Sequence, residues 1–187
     1  MLQVRFLPRE RGPCGAAECS PPCHGGGRGF KSHQGRMDVD KVIDYIKSLH
    51  RNNNWTSPVE SQKHKYKELA EVGDPDIYNM VRNTVLGLDV AEELRPNAIQ
   101  LTMWPIGSKQ DPHVDTVFAW RTYASIIYLN DDYIGGHTMF KDETIIPRKG
   151  KVVSFDGSRE HWVSEVEVGT RYTIAIFWTP YDEWKFY

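Results

Sequence analysis

The segment Arg171-Tyr-Thr-Ile-Ala-Ile-Phe-Trp178 has the apolar and β-branched composition of a buried strand. One cation, Arg171, stands at its head. Burying a charge is costly unless it is paired, and a guanidinium pairs best with a carboxylate, through two parallel hydrogen bonds. Thr173 lies two residues further on, hence on the same face, with a hydroxyl to donate. The head of this strand is therefore a candidate anion site.

Other short apolar runs precede this strand. Predicted strands cover residues 97–104, 123–129, 135–140, 151–155 and 163–168. Helical spacing of apolar residues predicts a helix from Asp38 to Arg51, and Asp74-Pro75 begins a second helix that ends near Leu88. Residues 55–73, between the helices, are polar and predicted to be a loop or lid. Helices followed by short strands indicate an α+β, mainly β fold with a sandwich or barrel.

Composition excludes several classes of protein. The chain has 187 residues, 40% hydrophobic and 26% charged, with a formal net charge of −2. These values are ordinary for one globular domain, and no apolar run is long enough to span a membrane. The near-neutral charge does not indicate a general surface for nucleic acid.

Residues 1–36 differ from the rest of the chain. They hold all three cysteines, 7 of the 15 glycines and 4 of the 11 prolines. A segment this rich in Gly and Pro buries too little apolar surface to offset its ordering entropy. The run from Ser20 to Ser32 also resembles an out-of-context translation of a transfer-RNA gene. We expect residues 1–36 to be a disordered extension outside the native protein, and 37–187 to be one domain.

Two functional interpretations of residues 1–36 are weaker. A secretory signal needs an uninterrupted apolar run, whereas Met1–Glu10 contains two arginines and a proline. A zinc site would use the cysteines, but no CxxC occurs and the adjacent Cys23 and His24 are poorly placed to reach one metal. We therefore expect a soluble protein located in the cytoplasm.

His113-Val114-Asp115 is the first motif with a clear chemistry. In a strand, residues i and i+2 face the same side, so the two side chains can reach one point. A third imidazole on a neighbouring strand would complete a 2-His-1-carboxylate face, which suits Fe(II) and leaves coordination positions open. His161, between two predicted strands, is the candidate. The alternatives are a surface His–Asp pair and a half-buried histidine satisfied by the backbone.

Six motifs follow one another in the second half of the chain: His113-x-Asp115, Tyr128-Leu-Asn130, Gly135-Gly-His-Thr-Met-Phe140, Pro147-Arg-Lys-Gly150, His161 and Arg171. Their order and spacing resemble the Fe(II)/2-oxoglutarate-dependent dioxygenases, in the prolyl 4-hydroxylase-like branch. The resemblance covers roughly residues 97–178. It implies a double-stranded β-helix, or jelly roll, with N-terminal flanking helices.

The resemblance also implies a binding site. His113, Asp115 and His161 match the iron ligands of the family. Arg171 matches the basic residue that pairs with the distal carboxylate of 2-oxoglutarate, and Tyr128 matches a tyrosine that holds the same carboxylate. The residues expected to bind 2-oxoglutarate are therefore Arg171, Tyr128 and Thr173.

The implied cofactors are Fe(II), 2-oxoglutarate and O₂, with ascorbate as an accessory reductant. The implied reaction hydroxylates an unactivated C–H bond and releases succinate and CO₂; the first-choice substrate is a prolyl residue of a peptide or protein. The alternatives are a hydroxylase of a free amino acid or other small molecule, and a non-catalytic metal-binding jelly-roll module. Nucleic acid is not an expected partner, because the second arginine of the nucleic-acid demethylating relatives is missing from the last strand. A membrane is not expected either, because no apolar run is long enough to span one.

Two positions depart from the family pattern. Collagen-type members carry lysine where Arg171 stands, which argues against a collagen substrate but not against 2-oxoglutarate. Trp104 stands where tyrosine is usual, and tryptophan has no phenolic hydroxyl. One hydrogen bond to the cosubstrate is then either missing or replaced.

Overall fold

Two helices and a series of antiparallel strands make up the computed structural model, which describes residues 3–6, 37–58, 63–118 and 121–180. Helix α1 covers Val39–Arg51, helix α2 covers Pro75–Leu86, and a 3₁₀ turn covers Leu69–Glu71. The strands are β1 Gln3–Phe6, β2 Ser57–Pro58, β3 Lys65–Glu68, β4 Leu94–Trp104, β5 Gln110–His113, β6 Tyr123–Tyr128, β7 Ile134–Gly135, β8 Thr138–Phe140, β9 Thr144–Ile145, β10 Lys151–Asp156, β11 His161–Val163, β12 Val166–Val168 and β13 Arg171–Pro180.

The described strands form three sheets. The largest has seven strands in the order β1-β10-β6-β13-β4-β3-β2, the second has four in the order β5-β11-β8-β9, and β12 pairs with β7. Every strand pair is antiparallel. This mainly β architecture agrees with the jelly roll expected from the sequence.

The two faces of the large sheet bury different partners. On one face, side chains such as Leu101 and Ile174 pack against α1 and α2 in the larger apolar core. On the other face, Tyr128 and Val153 pack against Phe140 of the four-stranded sheet. The helices therefore cover the outer face of the large sheet, and the four-stranded sheet covers its inner face.

Both helices begin where the sequence predicts. The Asp38 carboxylate accepts a hydrogen bond from the Lys41 amide at the start of α1, and the Asp74 carboxylate accepts two at the start of α2. Such caps satisfy amides that have no partner inside the helix. No described helix is long and apolar enough to cross a membrane.

The described residues of the segment 55–73, which are 55–58 and 63–73, include two strands and a 3₁₀ turn where the composition predicted a loop or lid. β3 pairs with β4 and thereby covers backbone groups that a sheet edge would leave unpaired. Lys67 in β3 is only 6% exposed. Its ammonium lies 3.2 Å from the Asn54 side-chain oxygen and 3.2 Å from the Glu71 carboxylate. These two partners explain how a strand lysine can be buried.

The predicted strand over residues 163–168 is two strands, β11 and β12. Between them, the Ser164 amide bonds to the His137 carbonyl and the Glu165 carbonyl accepts from the Gly136 amide. Gly135 and Gly136 both have positive φ, at 75° and 58°. A Cβ on Gly135 would collide with the Glu165 carbonyl oxygen. The glycine pair thus lets the chain change sheets here.

Within the segment expected to be disordered, residues 3–6 form strand β1. It pairs with β10 in the register Gln3↔Ser154 to Phe6↔Lys151. The edge of β10 presents backbone donors and acceptors, and a short extended segment can pair with them even where it buries little apolar surface. Residues 7–36, including the cysteines considered for zinc, lie outside the described residues.

Candidate functional site

Three potential metal ligands meet at one end of the four-stranded sheet. His113 ends β5 and pairs directly with His161, which begins β11. Asp115 lies two residues after His113, in a 3₁₀ turn, where its amide donates to the Gly157 carbonyl at 2.8 Å. One ligand atom from each of these residues lies within 4.8 Å of the others. The arrangement can hold one divalent ion.

Backbone carbonyls orient both imidazoles. The Nδ1 atom of His113 lies 2.9 Å from the Asp111 carbonyl oxygen, and that of His161 lies 2.9 Å from the Arg159 carbonyl oxygen. A carbonyl only accepts, so in each neutral ring Nδ1 carries the proton and Nε2 keeps its lone pair. The two Nε2 atoms each lie 3.8 Å from an oxygen of Asp115. Both lone pairs are thereby directed at the space that a metal would fill.

The surroundings of Asp115 fit a cation. Asp115 is 5% exposed, and its Oδ2 atom has no hydrogen-bond partner among the described residues. Leaving such a buried oxygen unpaired costs about 1–3 kcal/mol or more. The Phe155 ring packs edge-on against His161, with 4.7 Å between ring centroids. Burial lowers the pKa of His161, which keeps its imidazole neutral and able to bind a metal.

A second incomplete site surrounds Arg171. This residue is 1% exposed, and one nitrogen, Nη2, donates to the Thr138 hydroxyl at 3.2 Å. Its Nε and Nη1 atoms are buried with no hydrogen-bond partner among the described residues. Its guanidinium carbon lies 5.1 Å from the Trp104 ring centroid and 5.4 Å from that of Tyr128. A buried cation with two unused donors fits a carboxylate ligand.

The structure places the other two predicted cosubstrate residues near Arg171, with their hydroxyls already bonded. The Tyr128 hydroxyl donates to the Thr138 hydroxyl at 2.7 Å, and burial raises the pKa of Tyr128, so it stays protonated. The Thr173 hydroxyl is paired with that of Thr102. Because Thr138 accepts from both Tyr128 and Arg171, its own proton can point elsewhere. The part that Tyr128 and Thr173 take in cosubstrate binding stays a prediction.

Three buried polar residues of this region were not predicted as functional. They are His64, Tyr133 and Thr138. Thr138 lies two residues before Phe140 in the same strand, hence on the same face. Its inward direction could therefore have been predicted from the sequence. The Tyr133 hydroxyl has no hydrogen-bond partner among the described residues. The Tyr133 ring and the Arg171 side chain both lie within 4 Å of the position that a Cβ on Gly136 would take. Neither Tyr133 nor His64 carries a sequence signal that places it beside Arg171.

His64 lies beside Trp104 and carries no charge. The two rings are stacked, with 4.1 Å between centroids and a 14° angle between planes. Burial, and then the charges of Arg171 on β13 and His113 on β5, lower the pKa of His64 from 6.5 to about 4. The neutral imidazole is therefore the form that the folded protein stabilises.

Acid should consequently destabilise the protein through His64. Between pH 6.5 and about 4 the unfolded chain protonates this residue while the folded protein does not. We expect its contribution to the free energy of unfolding to fall by about 3 kcal/mol across this range. Urea unfolding at several pH values measures the fall. His64→Phe should lose this part of the pH dependence, and His50→Phe, at an exposed position of α1, should keep it; an unaltered pH dependence in His64→Phe would contradict the assignment.

Other residues considered from the sequence have plainer places. His137 is half-buried, and its amide donates to the Ser164 hydroxyl, in agreement with a packing residue. Asp142 lies on the surface in an ion pair with Arg159, at 2.6 Å. Trp120 lies outside the described residues.

The sequence matches a known family over the strands that build both incomplete sites. Residues 99–179 match the model of the 2OG-Fe(II) oxygenase superfamily. Prolyl 3-hydroxylase 2 of Homo sapiens is 31% identical over 71 residues. That match covers 33% of this chain and 10% of the relative, so the chain corresponds to a small part of the relative's length.

Solved structures share the fold at low sequence identity. A prolyl hydroxylase from Trichoplax adhaerens, in complex with a hypoxia inducible factor peptide fragment, has a TM-score of 0.60 at 12% identity, covering 78% of this chain and 79% of that one. The viral collagen prolyl hydroxylase from Paramecium Bursaria Chlorella virus-1, in its 2OG complex, has a TM-score of 0.57 at 12% identity, covering 76% and 90%. These likenesses confirm the predicted jelly roll. Residues 99–179 are therefore similar to the 2OG-Fe(II) oxygenase superfamily.

Proposed function

We propose that this protein is an Fe(II)- and 2-oxoglutarate-dependent dioxygenase that hydroxylates a prolyl residue of a peptide or protein. One observation carries the proposal: among the described residues, one oxygen of a buried carboxylate and two nitrogens of a buried guanidinium have no hydrogen-bond partner. Asp115 Oδ2 lacks a cation, and the Nε and Nη1 atoms of Arg171 lack an anion. A metal ion and a dicarboxylate would satisfy both residues.

The three potential metal ligands would hold Fe(II) through His113 Nε2, His161 Nε2 and a carboxylate oxygen of Asp115. Bound Fe(II) would couple two reactions: 2-oxoglutarate is decarboxylated to succinate and CO₂, and one oxygen atom of O₂ is inserted into a C–H bond. The protein fixes the two imidazoles by their Nδ1 hydrogen bonds. The apolar rings around His161 exclude water from this side of the site.

The far carboxylate of 2-oxoglutarate would bind Arg171. Its free Nε and Nη1 donors can each form a charge-assisted hydrogen bond to a carboxylate oxygen. Thr138 has a hydroxyl proton to add, and the Tyr128 hydroxyl holds Thr138 in place. Ascorbate enters this proposal only as an accessory reductant in solution, without an assigned residue.

A peptide substrate is supported by the rim of the site. Val117 and Phe118 lie two and three residues after Asp115, and 74% and 49% of their surfaces are exposed. His113 is also the most exposed of the three potential ligands, with 29% of its side chain accessible. An apolar rim beside an accessible ligand suits a proline ring presented on an extended chain. The names of the similar proteins, which include prolyl hydroxylases, point to the same substrate class.

Product analysis tests the proposal. The full chain is incubated with Fe(II), 2-oxoglutarate, ascorbate and a library of proline-containing peptides, and mass spectrometry then searches for one added oxygen atom. We expect hydroxylated proline with one succinate formed per hydroxyl, and none when alanine replaces that proline. Hydroxylation of free amino acids alone would favour the small-molecule alternative. Metal binding without any turnover would favour the non-catalytic module.

A further inference from the structure

His64 lies in the same row of the large sheet as Arg171. Arg171 on β13 pairs with Trp104 on β4, and Lys65 on β3 pairs with Met103. One residue further along the same register, His64 faces Trp104. Directly opposed residues of antiparallel strands project to the same face, which is the inner face of the jelly roll here. Arg171, Trp104 and His64 are therefore side-by-side neighbours across three strands.

The contacts of Trp104 agree with this row. Its ring stacks on His64 and lies near the Arg171 guanidinium, while its own Nε1 donates to the Thr102 hydroxyl at 3.1 Å. The indole has thus used its one hydrogen-bond donor. It separates two residues with unused polar atoms but offers none to a ligand.

The unused polar atom of His64 is Nδ1. The residue is 9% exposed, and Nδ1 is buried without a hydrogen-bond partner among the described residues. Only the Trp104 ring stands between His64 and the Arg171 guanidinium. His64 therefore lies one side chain away from the anion site, on the inner face of the jelly roll. 2-Oxoglutarate would bind on this face, where it joins Arg171 to the proposed metal ligands.

We propose that His64 is a further ligand-binding residue of this site and that its Nδ1 atom hydrogen-bonds to bound 2-oxoglutarate. The proposal rests on the proposed function. Every oxygen of the 2-oxoglutarate dianion is an acceptor, so Nδ1 must carry the proton. A neutral imidazole with its proton on Nδ1 donates this bond without adding a second positive charge beside Arg171. The stacked indole fixes the plane of the ring and hence the direction of the donor.

Binding of 2-oxoglutarate to the full chain loaded with Mn(II), a metal that does not turn over, tests the proposal. Isothermal titration gives separate dissociation constants for Mn(II) and for 2-oxoglutarate. His64→Phe keeps a ring on Trp104 and removes the nitrogen. We expect it to raise the 2-oxoglutarate dissociation constant about tenfold and to leave Mn(II) affinity unchanged. His64→Asn, whose amide lies near the position of Nδ1, should recover part of the loss, and His50→Phe should match the wild type.

The outcomes separate this proposal from the proposed function. If the wild type binds 2-oxoglutarate and His64→Phe binds it equally well, the role of His64 is overturned and the proposed function stands. If the wild type itself binds no 2-oxoglutarate, the proposed function fails. If His64→Phe does not fold, the comparison of His64→Asn with His64→Gln tests the role of Nδ1. Asparagine places its amide near the position of Nδ1, whereas glutamine places its amide near that of Nε2. Equal binding by these two variants would overturn the role of Nδ1.

Discussion

Alanine in place of His113, Asp115 or His161 should abolish Fe(II) binding and turnover. Each variant removes one of the three side chains whose ligand atoms lie within 4.8 Å of one another. With two ligands left, a site of this kind keeps too few bonds to hold a divalent ion against water. Titration with Mn(II) and succinate formation measure the two losses. Undiminished metal binding in all three variants would refute the ligand assignment.

Matched controls separate a metal ligand from a structural residue. His137→Ala removes a half-buried histidine of the same sheet region, and Asp111→Asn alters an exposed carboxylate near the end of β5. Both should bind metal normally.

Asp115→Asn adds a test of stability, because it removes a buried charge whose Oδ2 has no hydrogen-bond partner among the described residues. We expect it to lose the metal while the metal-free protein unfolds at the same or higher urea concentration.

Arg171→Ala should raise the 2-oxoglutarate dissociation constant about 100-fold and leave metal affinity unchanged. The substitution removes the guanidinium whose Nε and Nη1 atoms are free to bind a carboxylate. It leaves the Thr138 and Tyr128 hydroxyls bonded to each other, so the rest of the anion site keeps its geometry. Titration of the Mn(II)-loaded variant with 2-oxoglutarate measures the effect.

Two further variants sharpen the Arg171 prediction. Arg171→Lys keeps the charge but loses the planar fork, so its affinity for 2-oxoglutarate should lie between those of the wild type and alanine. Arg82→Ala removes an exposed arginine of α2 and should bind as the wild type does. If Arg171→Ala bound 2-oxoglutarate normally, the unpaired guanidinium would need another anion, and the cosubstrate would have to bind elsewhere.

The fold could be predicted wherever local signals agree with the final packing. The apolar spacing of α1, with its Asp38 cap, predicts a helix that the structure begins one residue later. The β-branched run after Arg171 predicts β13, which lies near the centre of the large sheet. β3 was not predicted, because its lysines alternate with Tyr66 and Glu68 in a pattern that reads as polar loop. Only pairing with β4, a contact distant in sequence, makes it a strand.

The residues of the candidate site that stand in motifs could be predicted, and those outside a motif could not. His113, Asp115, His161 and Arg171 stand in motifs with a definite spacing, and the structure brings the first three together. His64 precedes His113, the first residue of these motifs, by 49 residues, and no motif surrounds it. Its place beside Trp104 follows from strand register, which a sequence reveals only after the pairing of strands is known.

An anaerobic titration of the protein, first with Fe(II) and then with 2-oxoglutarate, followed by visible absorption, tests whether the two bind at one site. We expect a weak charge-transfer band that appears only when both are present. The band should be absent in His161→Ala and should need much more 2-oxoglutarate in Arg171→Ala. A folded wild-type protein that gives no band, or a His161→Ala variant that gives the wild-type band, would contradict the proposed function.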